Sequence, residues 1–232
     1  MIFENRVDAG RRLAARLENY RGPDTIIFAI PRGGVVIGYE VANALGAPLD
    51  VIIPRKIGAP GQPELAIGAI GDDISILDDD TIRYLGVSEG YIQGEIERQK
   101  EEIRRRWRLY RGDGAFPDVK GKTLVLVDDG IATGHTTMAA ARALRKKDPG
   151  KLVLAVPVAP PETVGRLRQE VDELVVLETP DPFFSVGSWY HEFEQTTDEE
   201  VIDLLRRARD RAAAESAGSN HRERGEEKSN QS

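Results

Sequence analysis

Five short apolar runs alternate with helix-like stretches along this chain, and no other feature restricts its fold as much. Thr25 to Ile30, Leu49 to Ile53, Leu124 to Val127, Leu152 to Val156 and Leu174 to Leu177 are largely apolar runs of strand length. Runs that are apolar on both faces suit strands covered on both sides, as in parallel sheets. Between them, residues 5 to 20 place Val7, Leu13, Ala14, Leu17 and Tyr20 at helical spacing and stop at Gly22-Pro23. Val35 to Leu45 is a second helical stretch, closed by Gly46; Met138 to Lys147 and Pro161 to about Glu170 are two more. Strands separated by such helices form parallel βαβ units. The expected fold is therefore α/β, an open parallel sheet flanked by helices. Ligands of such sheets bind beyond the carboxyl ends of the strands, so the residues just past each run carry the functional reading.

Three of the runs end in residues of distinct chemistry. The first ends in Pro31-Arg32-Gly33-Gly34, the second in Pro54-Arg55-Lys56, and the third in Asp128-Asp129-Gly130-Ile131-Ala132-Thr133-Gly134-His135-Thr136-Thr137. Cations from two strands and paired acids from a third suit a ligand that carries both phosphates and hydroxyls. In the third turn, small residues let backbone N–H groups approach an anion, the threonine hydroxyls can donate, and the following helix presents its N-terminus. The His135 side chain is read as incidental to that cradle. Asp128 and Asp129 are poor neighbours for phosphate. As ionised carboxylates they only accept hydrogen bonds, which suits the vicinal hydroxyls of a sugar.

Several other function classes are disfavoured. Gly121-Lys122-Thr123 lacks the earlier glycine of a P-loop, Phe116 standing there, and it precedes its strand. No G-x-G-x-x-G follows the first strand. The chain has no cysteine and only three histidines, His135, His191 and His221, so cysteine chemistry and a histidine metal cluster drop out. A net charge of −7 argues against a general nucleic-acid binder. No apolar run approaches the ~20 residues of a membrane span, and the charged N-terminal stretch does not read as a signal peptide; a cytoplasmic location is expected.

The remaining segments are less informative. Ile57 to Gly71 is rich in Gly and Pro, and Asp72 to Leu85 has a weak pattern that suggests a hairpin around Asp78-Asp79-Asp80. Ser88 to Tyr110 is a helix dense in charge, which reads as a solvated face. Thr197 starts a last helix, Val201 to Ala214. The polar stretch from Glu215 onward is expected to be disordered, which leaves residues 1–214 as one domain.

The third turn and its strand, Val125 to Thr136, resemble the phosphoribosyl-pyrophosphate (PRPP) signature of the type I phosphoribosyltransferases. Ala29 to Gly34, Pro54 to Ile70 and Thr179 to Phe184 through Trp189-Tyr190 resemble a branch known only as phosphoribosyltransferase-domain proteins. The resemblance implies transfer of phosphoribosyl from PRPP to a nitrogen acceptor, most simply a nucleobase, with release of pyrophosphate. By that resemblance Asp128 and Asp129 hold the ribose hydroxyls, and Gly130, Ile131, Ala132, Thr133, Gly134, His135 and Thr136 form the PRPP loop, of which Ala132 to Thr136 wraps the 5′-phosphate. Arg32 and Gly33 form the pyrophosphate loop, where the family often has a cis peptide. Pro54 to Gly71 is a flexible loop carrying Arg55 and Lys56. Residues 179–192 form a small hood in which Phe183, Phe184 or Trp189 stacks on the acceptor. Arg32, Arg55, Lys56, Asp128 and Asp129 are thus the implied catalytic set. Mg²⁺ is implied as a passenger on the substrate, with Asp128 and Asp129 as the candidate protein contacts. The helix at about 88–110 is additional to minimal members and is assigned to homodimer formation. Ala132 stands where six-oxopurine enzymes carry an aspartate, which weakens a hypoxanthine or guanine assignment. A PRPP-sensing binding protein without turnover is the alternative on the same fold.

Overall fold

The computed structural model describes residues 2–71, 74–112 and 114–229. Its centre is a five-stranded parallel sheet of β1 (Thr25–Ala29), β2 (Leu49–Val51), β6 (Thr123–Val127), β7 (Lys151–Val158) and β8 (Glu173–Glu178), in the order β2-β1-β6-β7-β8. The sheet is in register across its middle: Ile27 lies opposite Val125, and Val125 opposite Val153. Alternate residues feed two cores. Ile27, Ala29, Val125, Val127 and Val153 pack with α1 (Arg6–Ala15) and α2 (Gly33–Leu45). Ile26, Phe28, Leu124, Leu126 and Leu154 pack with α5 (His135–Arg145) and α6 (Pro161–Leu167). Both faces of β1, β6 and β7 are covered, which is why these strands read as apolar runs, whereas Asp50 interrupts β2 and β8 is half-buried throughout. The expected open parallel sheet flanked by helices is the observed one.

The stretch expected as a flexible loop, Pro54 to Gly71, is instead regular structure. β3 (Pro54–Ala59) and β4 (Gln62–Gly71) form an antiparallel hairpin, and β5 (Ile74–Leu77) adds a third strand. Buried Ile57, Ala59, Ile67, Ala69 and Ile70 hold it against the domain. Gly68 serves close strand contact, since a Cβ there would lie 2.4 Å from the Ile76 carbonyl oxygen. The acidic triplet is likewise not a hairpin tip. Asp78 caps α3 (Asp79–Leu85), its carboxylate accepting from the Thr81 N–H at 3.0 Å, with Asp79 and Asp80 in the favourable first turn; residues 72 and 73 lie outside the described residues.

The additional helix, α4 (Glu89–Arg111), is capped by Ser88 and buries Ile92, Ile96, Ile103 and Tyr110 against the hairpin and α7 (Asp198–Ser229). Only its opposite face, with Arg104 and Arg105, is the solvated one expected. Thr197 Oγ1 accepts from the Glu200 N–H at 3.1 Å and starts α7, which buries Val201, Leu205 and Ala208 at helical spacing. The backbone continues as helix past Ala214, where a disordered tail was expected, to Ser229. Ala, Glu, Arg and Lys are good helix formers. Residues 230–232 lie outside the described residues. Among the described residues no helix is long and apolar enough to cross a membrane.

Candidate active site at the carboxyl edge of the sheet

The ends of β1 and β6 are neighbours, since Ala29 lies opposite Val127 and the Ile30 N–H donates to the Val127 carbonyl at 3.0 Å. The segments leaving these two strands therefore meet in space. β1 leads through a cis Pro31–Arg32 peptide into Gly33-Gly34, the first residues of α2. β6 leads into Asp128 and Asp129. The contact is so close that a Cβ on Gly33 would lie 2.0 Å from Asp129 Oδ2, and one on Gly34 3.0 Å from Asp128 Cα. Glycine is required here for close approach, not for backbone conformation.

The acid pair is tightly held. Asp128 Oδ1 accepts from the Asp129 N–H at 2.8 Å, and Asp129 Oδ2 accepts from Arg6 Nε at 2.8 Å. The Tyr190 hydroxyl donates to the Asp129 carbonyl at 2.5 Å. Burial and then the neighbouring negative charge of Asp129 push the Asp128 carboxyl well above the usual carboxylate range. Burial raises Asp129 also, with the Arg6 guanidinium pulling it back. The Tyr190 phenol is raised by burial and by the acid beneath it.

The turn after the pair is anchored from behind. Thr163 Oγ1 donates to the Ala132 carbonyl at 2.6 Å, and an Arg166 guanidinium nitrogen to the Thr133 carbonyl at 3.2 Å. A planar trans peptide points its N–H opposite to its C=O. The Thr133 and Gly134 N–H groups are thereby turned away from α6, toward the strand-end crevice. Gly134, at φ 80°, then opens α5 with its N-terminus beside those groups. His135 is partly buried, its Nδ1 finds no hydrogen-bond partner, and burial with the charges of Arg166 and Lys56 lowers its pKa. The ring is neutral, so it adds no cation to the cradle.

Arg55 and Lys56 lie on β3. They line a cleft of about 420 Å³ with Thr136 and with Tyr91, Arg98 and Gln99 of α4. Arg55 Nε donates to Gln99 Oε1 at 2.9 Å. Arg32 sits at the head of α2, its charge felt by Tyr110, whose phenol is pushed up to about 12 by burial and by its bond to Asp198. The hood candidates divide. Phe183 and Trp189 are half-buried against the core, whereas Phe184 is 85% exposed. Gly130 admits the hood: a Cβ there would lie 2.5 Å from Val186 Cγ1.

Sequence reasoning missed Arg6, Gln99 and Phe193. Arg6 stacks 3.9 Å above the Phe193 ring and donates to the Glu194 carbonyl at 2.7 Å. The segment ahead of it runs alongside the hood, with the Phe3 N–H on the Trp189 carbonyl at 2.8 Å and the His191 N–H on the Phe3 carbonyl at 2.9 Å. No local pattern links residues so far apart in the chain; only the folded contact reveals them.

The fold is an open parallel α/β sheet, with an acid pair and a small-residue turn leaving β6 beside the glycines that follow β1. A model of the phosphoribosyl transferase domain matches residues 1–191, and the chain belongs to that family. Two Mycobacterium tuberculosis proteins, from strains CDC 1551 / Oshkosh and H37Rv and provisionally named phosphoribosyl transferases, are each 45% identical over 209 residues. The match takes in 89% of this chain and 47% of theirs, so the chain spans about half the length of these curated relatives. The crystal structure of TT1426 from Thermus thermophilus is similar at a TM-score of 0.74 and 41% identity, covering 88% of this chain and 98% of that one.

Proposed function

We propose that this chain transfers the phosphoribosyl group of PRPP to a ring nitrogen of a heterocyclic acceptor such as a nucleobase, releasing pyrophosphate. The observation that carries the reading is the meeting of Asp128–Asp129, the anchored 131–136 turn and Arg32-Gly33 at adjacent strand ends. The carboxylates would accept from the ribose hydroxyls, and the Thr133 and Gly134 N–H groups with the α5 N-terminus would hold the 5′-phosphate. In the transfer, the acceptor nitrogen's lone pair forms the bond to C1 of the ribose. The C1–oxygen bond breaks, its electron pair leaving with pyrophosphate. Positive charge develops on the sugar, next to the acid pair; negative charge develops on the leaving group, which Arg32 and Lys56 would stabilise.

Mg²⁺ wants a near-octahedral set of oxygen donors. Among the described residues no group of three or more His, Cys, Asp or Glu could hold a metal, and Asp129 Oδ2 and Asp128 Oδ1 are already engaged. That donor set fits an ion carried in on the diphosphate, touched at most by the remaining oxygens of Asp128 and Asp129. When bound it would neutralise charge on the departing pyrophosphate.

The test is thermal unfolding with millimolar Mg²⁺-PRPP, followed by a panel of bases scored for pyrophosphate release. A rise in melting temperature is expected, because binding to the native state alone adds to stability; an unmoved melting curve would sink the reading. A second reading, a PRPP sensor without turnover, draws on the engagement of Arg55 by the neutral Gln99 amide. It predicts the same thermal shift with no pyrophosphate released from any base.

Acceptor recognition narrows to Phe184, the one exposed ring of the three hood candidates. Stacking on an aromatic ring is worth roughly 1–3 kcal/mol per base. Phe184→Leu should therefore raise the Michaelis constant of the acceptor about tenfold with PRPP affinity unchanged, as steady-state kinetics at saturating PRPP will read. Leucine at Phe183 or Trp189 should lower the melting temperature instead. Unaltered acceptor kinetics in Phe184→Leu would remove the hood ring from recognition.

A further inference from the structure

Arg6 is the first residue of α1, and its placement runs against helix electrostatics. The helix start is capped by Asn5, whose Oδ1 accepts from the Val7 and Asp8 N–H groups at 3.1 Å each. A cation at a helix N-terminus faces the positive end of the macrodipole and is disfavoured there. This one is also sunk to 12% side-chain exposure against an Asp129 side chain at 16%. Nothing about α1 itself calls for a buried guanidinium at that point.

What the guanidinium does is close a ring of contacts. Nε donates to Asp129 Oδ2, another nitrogen donates to the Glu194 carbonyl, and the plane lies over Phe193. The Phe193 ring is 5.0 Å from that of Tyr190, and the Tyr190 hydroxyl returns to the Asp129 carbonyl. Asp129 is thus gripped at its carboxylate and at its backbone by two side chains joined through one aromatic ring. With Oδ2 committed to Arg6, the orientation in which this carboxylate meets a ligand is fixed. A planar guanidinium fixed on three sides also sets the angle at which it holds the carboxylate, as a flexible ammonium could not.

We propose that Arg6 is a positioning residue for the transfer reaction: it presents Asp129 to the ribose hydroxyls of PRPP and, through Phe193 and Glu194, ties that carboxylate to the acceptor hood. The inference deepens the PRPP reading and rests on it.

Arg6→Met should weaken PRPP binding by about tenfold or more, measured by isothermal titration in the presence of Mg²⁺, since a charge-assisted contact that orients the ligand's partner is lost. Arg6→Lys keeps the charge without the fork and should recover part of the loss. A double-mutant cycle with Asp129→Asn separates positioning from general stability. In the Asn background, Arg6→Met should change PRPP affinity less than about twofold. Phe193→Leu leaves Arg6 in place but frees its plane, and should weaken PRPP by about threefold even if Arg6→Met folds poorly. Losses that multiply in the double mutant, or an Arg6→Met protein that binds PRPP like its parent, overturn the role of Arg6 alone. A parent protein that fails to bind PRPP overturns the PRPP reading and this role together.

Discussion

Asp128→Asn should give a protein that melts higher than its parent at neutral pH and scarcely binds PRPP. Burial and the adjacent Asp129 charge raise the Asp128 pKa in the folded state above its ordinary value of 3.8. A group raised in this way contributes stability that is fully present below the unfolded value and is lost as pH rises through the folded one. At neutral pH the parent therefore carries a carboxyl whose ionised form the fold disfavours. Asparagine removes that charge, keeps an oxygen for the Asp129 N–H, and adds an amide that can donate to the Asp129 carboxylate. The melting temperatures of the two proteins should lie close together near pH 4 and diverge toward pH 7, with the variant above by ~2–4 °C for each kcal/mol relieved. Loss of a charge-assisted hydrogen bond to a ribose hydroxyl should weaken PRPP by about tenfold or more. Calorimetry across that pH range with PRPP titration at neutral pH decides the matter. A variant that melts lower at pH 7 refutes the strain argument; unchanged PRPP affinity refutes the contact. Stability given up at a binding site is the usual cost of preorganised charge.

Gly33→Ala should be the most damaging single methyl group in the domain. The added Cβ would lie 2.0 Å from Asp129 Oδ2 and 2.6 Å from Arg6 Nε. Real Cβ atoms do not approach that closely, so either the ion pair must separate or the head of α2 must move away from β6. Both outcomes displace the carboxylate, and PRPP affinity should fall by about a hundredfold, the scale of losing a positioned charged partner. Gly90→Ala is the matched control. It is exposed on α4 with nothing within 4 Å of its Cβ, and alanine there should stabilise by about 0.5–1 kcal/mol. If Gly33→Ala binds PRPP and melts like its parent, the close packing of the two strand ends is wrong.

The parts legible in the sequence were those encoded locally. β1, β6 and β7 announced themselves because burial on both faces leaves an apolar run, the edge strands β2 and β8 by shorter apolar stretches, and the acid pair with its loop is a contiguous stretch from Asp128 to Thr136. The hairpin of β3 and β4 was misread because Gly and Pro have two uses. At Gly68 the missing side chain lets a neighbouring strand approach, while composition alone reads as a turn or a mobile loop. The Asp78 triplet was misread for a similar reason, since a cap and a hairpin tip share residue types. Arg6 left no local trace at all. Its partners, Asp129, Phe193 and Glu194, lie more than a hundred residues along the chain, and only the packing of α1 beside the hood brings them together. Which hood ring faces solvent was equally beyond a sequence pattern, because Phe183 and Phe184 are adjacent and differ only in what lies over them.

The clasp between the segment around Phe3 and the hood also sets when, during synthesis, a working protein can exist. Arg6 and Glu194 are 188 positions apart. At translation rates of 5–20 residues per second, the N-terminal segment leaves the ribosome roughly 10–40 s before its partner. Through that interval the sheet can assemble strand by strand, since β1, β6 and β7 each wait only for the next. Asp129, by contrast, gains the Tyr190 hydroxyl, and its Arg6 partner gains the Glu194 carbonyl and the Phe193 ring, only once residues 189–194 have emerged. A nascent chain released early would carry a nearly complete sheet and an unfinished carboxylate. The surroundings of Asp129 are completed with the hood, just before α7 follows.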